Sequence, residues 1–174
     1  MKTEYITEEG KRLLELRLKS LIQARKLLTE EVGNTATFGD IGYENAEFDA
    51  AIEALEIKKA EIAKINYDLS SSRIETIPKR PVRASFGTKV TILDLSNKTT
   101  YTYRIVGPYE TNALNQEFLN KDELTQNSFI SYVSPIGRAL IGKEVGDVVR
   151  CVTPTRCREL ELINIESCFE GLDT

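Results

Sequence analysis

The chain has 174 residues, 41% of them hydrophobic and 29% charged, with a formal net charge of −4, which fits a water-soluble protein of one domain or two small ones. The acidic balance argues against bulk nucleic-acid binding, because that affinity comes mostly from Lys and Arg neutralising phosphate. The chain contains no histidine, so Ser-His and Cys-His nucleophilic catalysis and the usual neutral-pH general base are excluded.

No stretch approaches the ~20 apolar residues of a membrane span. Met1-Lys2-Thr3-Glu4-Tyr5 carries acid and no apolar core, so no secretory signal is expected and a cytoplasmic location is. Cys151, Cys157 and Cys168 make an odd count without paired spacing, which predicts reduced, partly buried thiols. A zinc site would need a fourth ligand, and histidine cannot supply it.

From about Thr7 to Glu75 the apolar residues recur at helical spacing. Leu14, Leu21 and Leu28 repeat every seventh residue, interleaved with Leu18 and Val32. Phe48, Leu55, Ile62 and Leu69 do the same, supported by Ala51 and Ile65. A seven-residue apolar repeat predicts two helices packed along a long seam. Between them, Gly33 to Gly42 is rich in glycine and small polar residues, which suits a reversal. The prediction is an antiparallel coiled-coil hairpin, residues 1–77, with arms of about 45 Å.

Pro78 and Pro81 with Lys79, Arg80 and Arg83 read as a linker over residues 78–84. Beyond it the period changes to two. Lys89–Leu93, Tyr101–Val106, Phe129–Val133, Asp147–Val152 and Glu159–Ile163 are predicted strands. Ser134 suits an N-cap, Pro135 the first helical position, and Gly142 a stop. Residues 85–174 are therefore predicted to form a small antiparallel β domain with one short helix, making the fold class α+β. The polar stretch from Pro108 to Ser128 is read as an insertion loop with a helical turn near Asp122.

Carboxylates cluster at the predicted hairpin turn: Asp40, Glu44, Glu47, Asp49 and Glu53. Two readings stand at this point. Acids are favoured in the first turn of a helix, where exposed N–H groups and the helix dipole attract negative charge. Alternatively, carboxylates at the end of a projecting hairpin could complete a Mg²⁺ shell in a partner, since that ion accepts one or two carboxylates and fills its shell with water and phosphate oxygens.

Two runs of sequence carry a resemblance. Gly39-Asp40-Ile41-Gly42-Tyr43-Glu44-Asn45-Ala46-Glu47-Phe48 is similar to the tip signature of the bacterial Gre transcript-cleavage factors. Ser134 to Asp147 resembles that family's second signature, and Phe86-Gly87 and Tyr103–Gly107 also match. These features occur in the family's order over nearly the whole chain.

The resemblance implies a hairpin followed by a domain of FKBP-like topology. It implies a factor that docks on RNA polymerase at the rim of its secondary channel, through Ser134, Pro135, Ile136, Arg138, Leu140 and Ile141. Asp40 and Glu44 would then assist a second Mg²⁺ shared with the polymerase, so that the polymerase cleaves its own backtracked RNA near the 3′ end. The factor would bind no cofactor alone, act as a monomer, and be no enzyme by itself. Asn45 and Phe48 would shape the tip, and Arg17, Arg25 and Lys58 could contact RNA.

Two departures bear on this. Three residues, Ile41-Gly42-Tyr43, separate the tip acids where the family usually has two, and the stretch before the second signature is longer than usual. The first keeps open a channel-binding regulator or inhibitor without cleavage stimulation. A prolyl isomerase is suggested only by the implied topology. Such pockets rely on an aromatic-rich apolar cleft, whereas this chain has no tryptophan and most aromatics of its second half fall at expected strand positions.

Overall fold

A computed structural model describes residues 3–38, 46–118, 127–152 and 157–169. The chain separates into two compact units, Met1–Leu13 with Ser72–Thr174, and Leu14–Ser71.

The described residues of the second unit are almost all helical. Helix α1 spans Glu8–Phe38 and α2 spans Ala46–Ser70. Of the heptad leucines and isoleucines predicted to face inward, Leu14, Leu21, Leu55, Ile62 and Ile65 are buried, whereas Leu18, Leu28 and Leu69 are half-buried. Each fully buried aliphatic side chain of this kind contributes about 1.5–3 kcal/mol. Helix α1 continues through Gly33 to Phe38, into the stretch from Gly33 to Gly42 where the reversal was expected, and the rest of that stretch lies outside the described residues. A single helical glycine costs only about 1 kcal/mol relative to alanine, too little to end a helix of this length.

The first unit is built on a five-stranded sheet of order β5-β4-β3-β7-β6. Its strands are β3 (Thr88–Asp94), β4 (Thr99–Val106), β5 (Asn127–Ser131), β6 (Val148–Val152) and β7 (Cys157–Ser167). A separate two-stranded ribbon pairs β1 (Glu4–Ile6) with β2 (Ser72–Ile74) in parallel register, Tyr5 opposite Arg73. The α+β class holds, but the large sheet is mixed rather than wholly antiparallel. β5 runs parallel to β4, which requires a crossover instead of a hairpin. The crossover contains α3, Thr111–Phe118, where a loop was expected. The helical turn expected near Asp122 lies outside the described residues.

Alternation sets the core. Along β3 the side chains of Thr88, Val90, Ile92 and Asp94 are buried, as period-two geometry requires when one face is covered. Val90 and Ile92 pack with Ile105, Leu140, Leu160 and Leu162. A second cluster joins Leu13, Val106, Leu114, Phe129 and Cys168. Helix α3 also closes the sheet's β5 edge, because the Asn115 amide donates to the Phe129 carbonyl at 2.9 Å and accepts its N–H at 2.7 Å. An edge strand otherwise offers unpaired backbone groups to other chains.

One buried charge pair lies at the far end of β3. Arg158 Nε donates to Asp94 Oδ2 at 2.6 Å, and the guanidinium stands 4.6 Å over the Tyr101 ring. Burial opposes ionisation of Asp94, yet the Ser96 N–H and the Arg158 guanidinium together hold its carboxyl below the ordinary value. The three thiols are free, with Cys151 and Cys168 buried and Cys157 exposed. Burial pushes both buried thiols upward.

Candidate functional site

The six predicted docking residues lie on and around α4 (Pro135–Leu140). Its start follows from local chemistry. Ser134 Oγ accepts the Gly137 N–H at 3.0 Å, and Pro135 occupies the first turn, where a missing N–H costs nothing. Gly137 permits close approach to the end of β5, since a Cβ there would lie 2.3 Å from the Ser131 carbonyl oxygen. Leu140 is wholly buried, and Ile136 packs against the same core. Both side chains fasten the helix, and Leu140 presents no contact surface while Ile136 stays half-buried. Pro135, Arg138 and Ile141 remain accessible.

Arg138 and Ile141 border a groove of about 390 Å³ with Tyr5, Ser85, Phe86 and Tyr132. Three rings make its apolar body. Tyr5 and Phe86 have centroids 6.1 Å apart, Phe86 and Tyr132 6.2 Å, and Tyr5 and Tyr132 6.4 Å. Tilted and edge-on rings at such distances are favourable arrangements. The Tyr132 hydroxyl donates to the Glu4 carboxylate and accepts the Tyr5 N–H at 3.2 Å. Burial and the nearby Glu4 carboxylate push that hydroxyl up to about 12, so it stays protonated at neutral pH.

The groove offers aromatic surface, with Ser85 and the Arg138 guanidinium also in its lining. Such a lining could accommodate an apolar side chain against the rings and an acidic group beside Arg138.

The N-terminal strand contributes Tyr5 to this groove, and it is held by an arrangement the sequence reading missed. Glu110 is completely buried. Its carboxylate accepts the Thr7 N–H at 2.8 Å, the Thr7 hydroxyl, and the Gly107 N–H at 2.7 Å. Thr7 in turn caps α1, its Oγ1 accepting the Gly10 N–H at 2.9 Å. Burial raises the Glu110 carboxyl above its ordinary value, against the three donors that lower it.

Of the predicted tip residues, Asp40, Glu44 and Asn45 lie outside the described residues. Phe48 is half-buried on α2, and Asp49 and Glu53 are exposed on the same helix. Among the described residues no three His, Cys, Asp or Glu side chains are grouped to hold a metal ion. Hard carboxylate oxygens suit Mg²⁺, but the two predicted ligands alone would leave most of its shell to other groups. Arg17 and Arg25 are exposed, and Lys58 pairs with Glu61 at 3.0 Å. Tyr5 and Glu110 carried no sequence signal, whereas Phe86 lies in a run that did and Tyr132 in a predicted strand.

No helix among the described residues is long and apolar enough to cross a membrane. Residues 4–74 match the family described as "Transcription elongation factor, N-terminal", and residues 79–167 match "Transcription elongation factor, GreA/GreB, C-term". The chain is similar to the transcription elongation factor GreA of Orientia tsutsugamushi (strain Boryong), at 34% identity over 92% of this chain and 94% of that one. Similarity to GreA of Vibrio vulnificus (strain CMCP6) is also 34%, over 92% and 96%. GreA of Rickettsia typhi (strain ATCC VR-144 / Wilmington) is 33% identical over 99% of both chains. Both halves therefore carry the family's domains in the family's order, and the chain belongs to the GreA/GreB family of transcription elongation factors.

Proposed function

We propose that this elongation factor docks on RNA polymerase through the groove of Tyr5, Phe86, Tyr132, Arg138 and Ile141, and enters the secondary channel with its helical hairpin. There Asp40 and Glu44 assist the polymerase in cleaving backtracked RNA near its 3′ end. A divalent cation shared with the polymerase would supply charge neutralisation and an activated water when bound. The residues of this chain supply two hard oxygen ligands and bring them by docking. The protein works as a monomer in the cytoplasm and hydrolyses nothing by itself.

The observation that supports this reading is the family match over both halves, joined to the acidic run of Asp40, Glu44 and Glu47 in the tip signature. A second reading, a channel-binding regulator that docks without stimulating cleavage, is favoured by the three residues between Asp40 and Glu44. A cleavage assay on stalled elongation complexes tests both. Neutralising the acids, as Asp40→Asn with Glu44→Gln, is expected to abolish cleavage and leave polymerase binding within about threefold, well under the tenfold that corresponds to 1.4 kcal/mol. RNA cleavage by the purified chain without polymerase would sink the first reading, and so would cleavage undiminished in the double variant.

A further inference from the structure

Tyr5 is the one groove residue that comes from the N-terminal strand, and its position is set by contacts around it in the same unit. Its N–H is taken by the Tyr132 hydroxyl. Its carbonyl oxygen lies so close to Gly107 that a Cβ there would meet it at 2.0 Å. Two residues on, Thr7 is gripped by Glu110 through both its N–H and its hydroxyl, and the same carboxylate holds the Gly107 N–H. One buried carboxylate thus joins the segment following Tyr5 to the glycine against which Tyr5 packs.

The first turn of α1 explains why the carboxylate comes from so far along the chain. In a capping box, the N-cap threonine takes the N–H of the third helical residue, and a glutamate at that third position returns to the N-cap N–H. Here Thr7 takes the N–H of Gly10, but Gly10 has no side chain to return. Glu110 fills the vacant place: a Cβ on Gly10 would lie 1.8 Å from its Oε2. The box is completed across 103 positions of sequence, and its closure fixes the N-terminal strand where the rings of the groove meet.

We propose that Glu110 is a positioning residue for the docking groove, holding Thr7 and Gly107 so that Tyr5 stands as its third aromatic wall. This rests on the reading of the groove as the polymerase-docking surface. A buried acceptor serving three donors is suited to the role. Losing it strands those donors away from water, and an unmade buried hydrogen bond costs more than a made one contributes.

The test uses the full-length chain labelled with 3-fluorotyrosine, read by ¹⁹F NMR and by displacement from RNA polymerase. Glu110→Gln sets an amide against the N–H donors, and Thr7→Val removes the hydroxyl at nearly constant volume, so the second variant remains informative if the first fails to fold. Both are expected to move the Tyr5 resonance toward that of an exposed tyrosine, while Tyr101 and Tyr103, stacked with centroids 6.1 Å apart, keep theirs. Both are expected to weaken polymerase binding at least about tenfold.

In a Tyr5→Ala background the same changes are expected to weaken binding by less than about twofold, because residues acting through one contact are not additive. An unmoved Tyr5 resonance overturns the proposal, as does a full loss of binding persisting in the Tyr5→Ala background. Ile141→Asp separates the two claims. If it leaves binding intact, the docking reading fails, and the Tyr5 resonance alone then judges the role of Glu110.

Discussion

Gly10 and Glu110 share one space: a Cβ on Gly10 would lie 1.8 Å from Glu110 Oε2 and 2.6 Å from its Cβ. Helix propensity and packing therefore make opposite predictions for Gly10→Ala. In an open helix the change stabilises by about 0.8–1 kcal/mol. Here it forces the Glu110 carboxylate off Thr7, and overpacking of that kind costs about 1–3 kcal/mol. The expected outcome is a lowered urea midpoint with an unchanged slope. A raised midpoint would show that the carboxylate can retreat without loss.

The Asp94–Arg158 pair gives a pH dependence of definite sign. The carboxyl of Asp94 is depressed below its ordinary 3.8 in the folded protein. Its contribution is therefore complete above the unfolded value and is lost as pH falls through the folded one. Glu110 acts oppositely. Its raised carboxyl favours the folded state at low pH and withdraws that contribution as pH rises from the ordinary value through the folded one. Asp94→Asn leaves Arg158 buried without its counter-charge, which costs about 3–5 kcal/mol. Urea unfolding below about pH 4, where carboxylates take up protons, should then be less steeply dependent on pH than in the parent chain. An identical acid limb in the two proteins would remove Asp94 from the explanation.

Leu140 and Ile141 are neighbours in sequence with opposite fates. Leu140 is wholly buried and Ile141 is 40% exposed at the groove. Leu140→Ala should cost about 2–5 kcal/mol of stability through the cavity it leaves. Ile141→Asp should leave the unfolding midpoint within about 0.5 kcal/mol of the parent, as surface substitutions generally do. It should nevertheless weaken polymerase binding, by putting a charge among the rings. Parallel urea titrations and binding measurements check the contrast. Equal losses of stability in both variants would place Ile141 in the core instead.

Those neighbours also show what the sequence could and could not disclose. Period-two alternation and the Ser134-Pro135 cap were local signals, and β3 to β7 and α4 form where they indicated, with β7 extending past both predicted ends. Heptad spacing likewise marked Leu14, Leu21, Leu55 and Ile62 as inward. The parallel pairing of β5 with β4 was not legible, because it depends on a crossover through α3 and not on any property of the strand itself. Tyr5 and Glu110 were invisible for the same reason. Their roles come from contacts made more than a hundred residues away, and a three-residue strand such as β1 has too few positions to display a period. Of the groove, Arg138 and Ile141 were expected docking residues and Phe86 lay in a matching run, whereas the contribution of Tyr5 was not foreseen.

The spacing of the tip acids decides between the two functional readings. An Asp three residues before a Glu resembles a capping box, in which both carboxylates are fixed by one helical turn. Here Glu44 follows Asp40 by four positions, with Gly42 between them. Glycine tolerates backbone conformations closed to other residues, so it can take up the added length and leave the two acids convergent on one cation. Deleting Gly42 restores the shorter spacing and leaves both carboxylates in the chain. The expected result is a change in polymerase RNA cleavage of less than about tenfold, because misplacement by ~1 Å is what costs roughly a hundredfold and the parent chain is read as already placed. A rise of about a hundredfold on deletion would mean that the parent acids are held apart, and the regulator without cleavage stimulation would then be the correct reading.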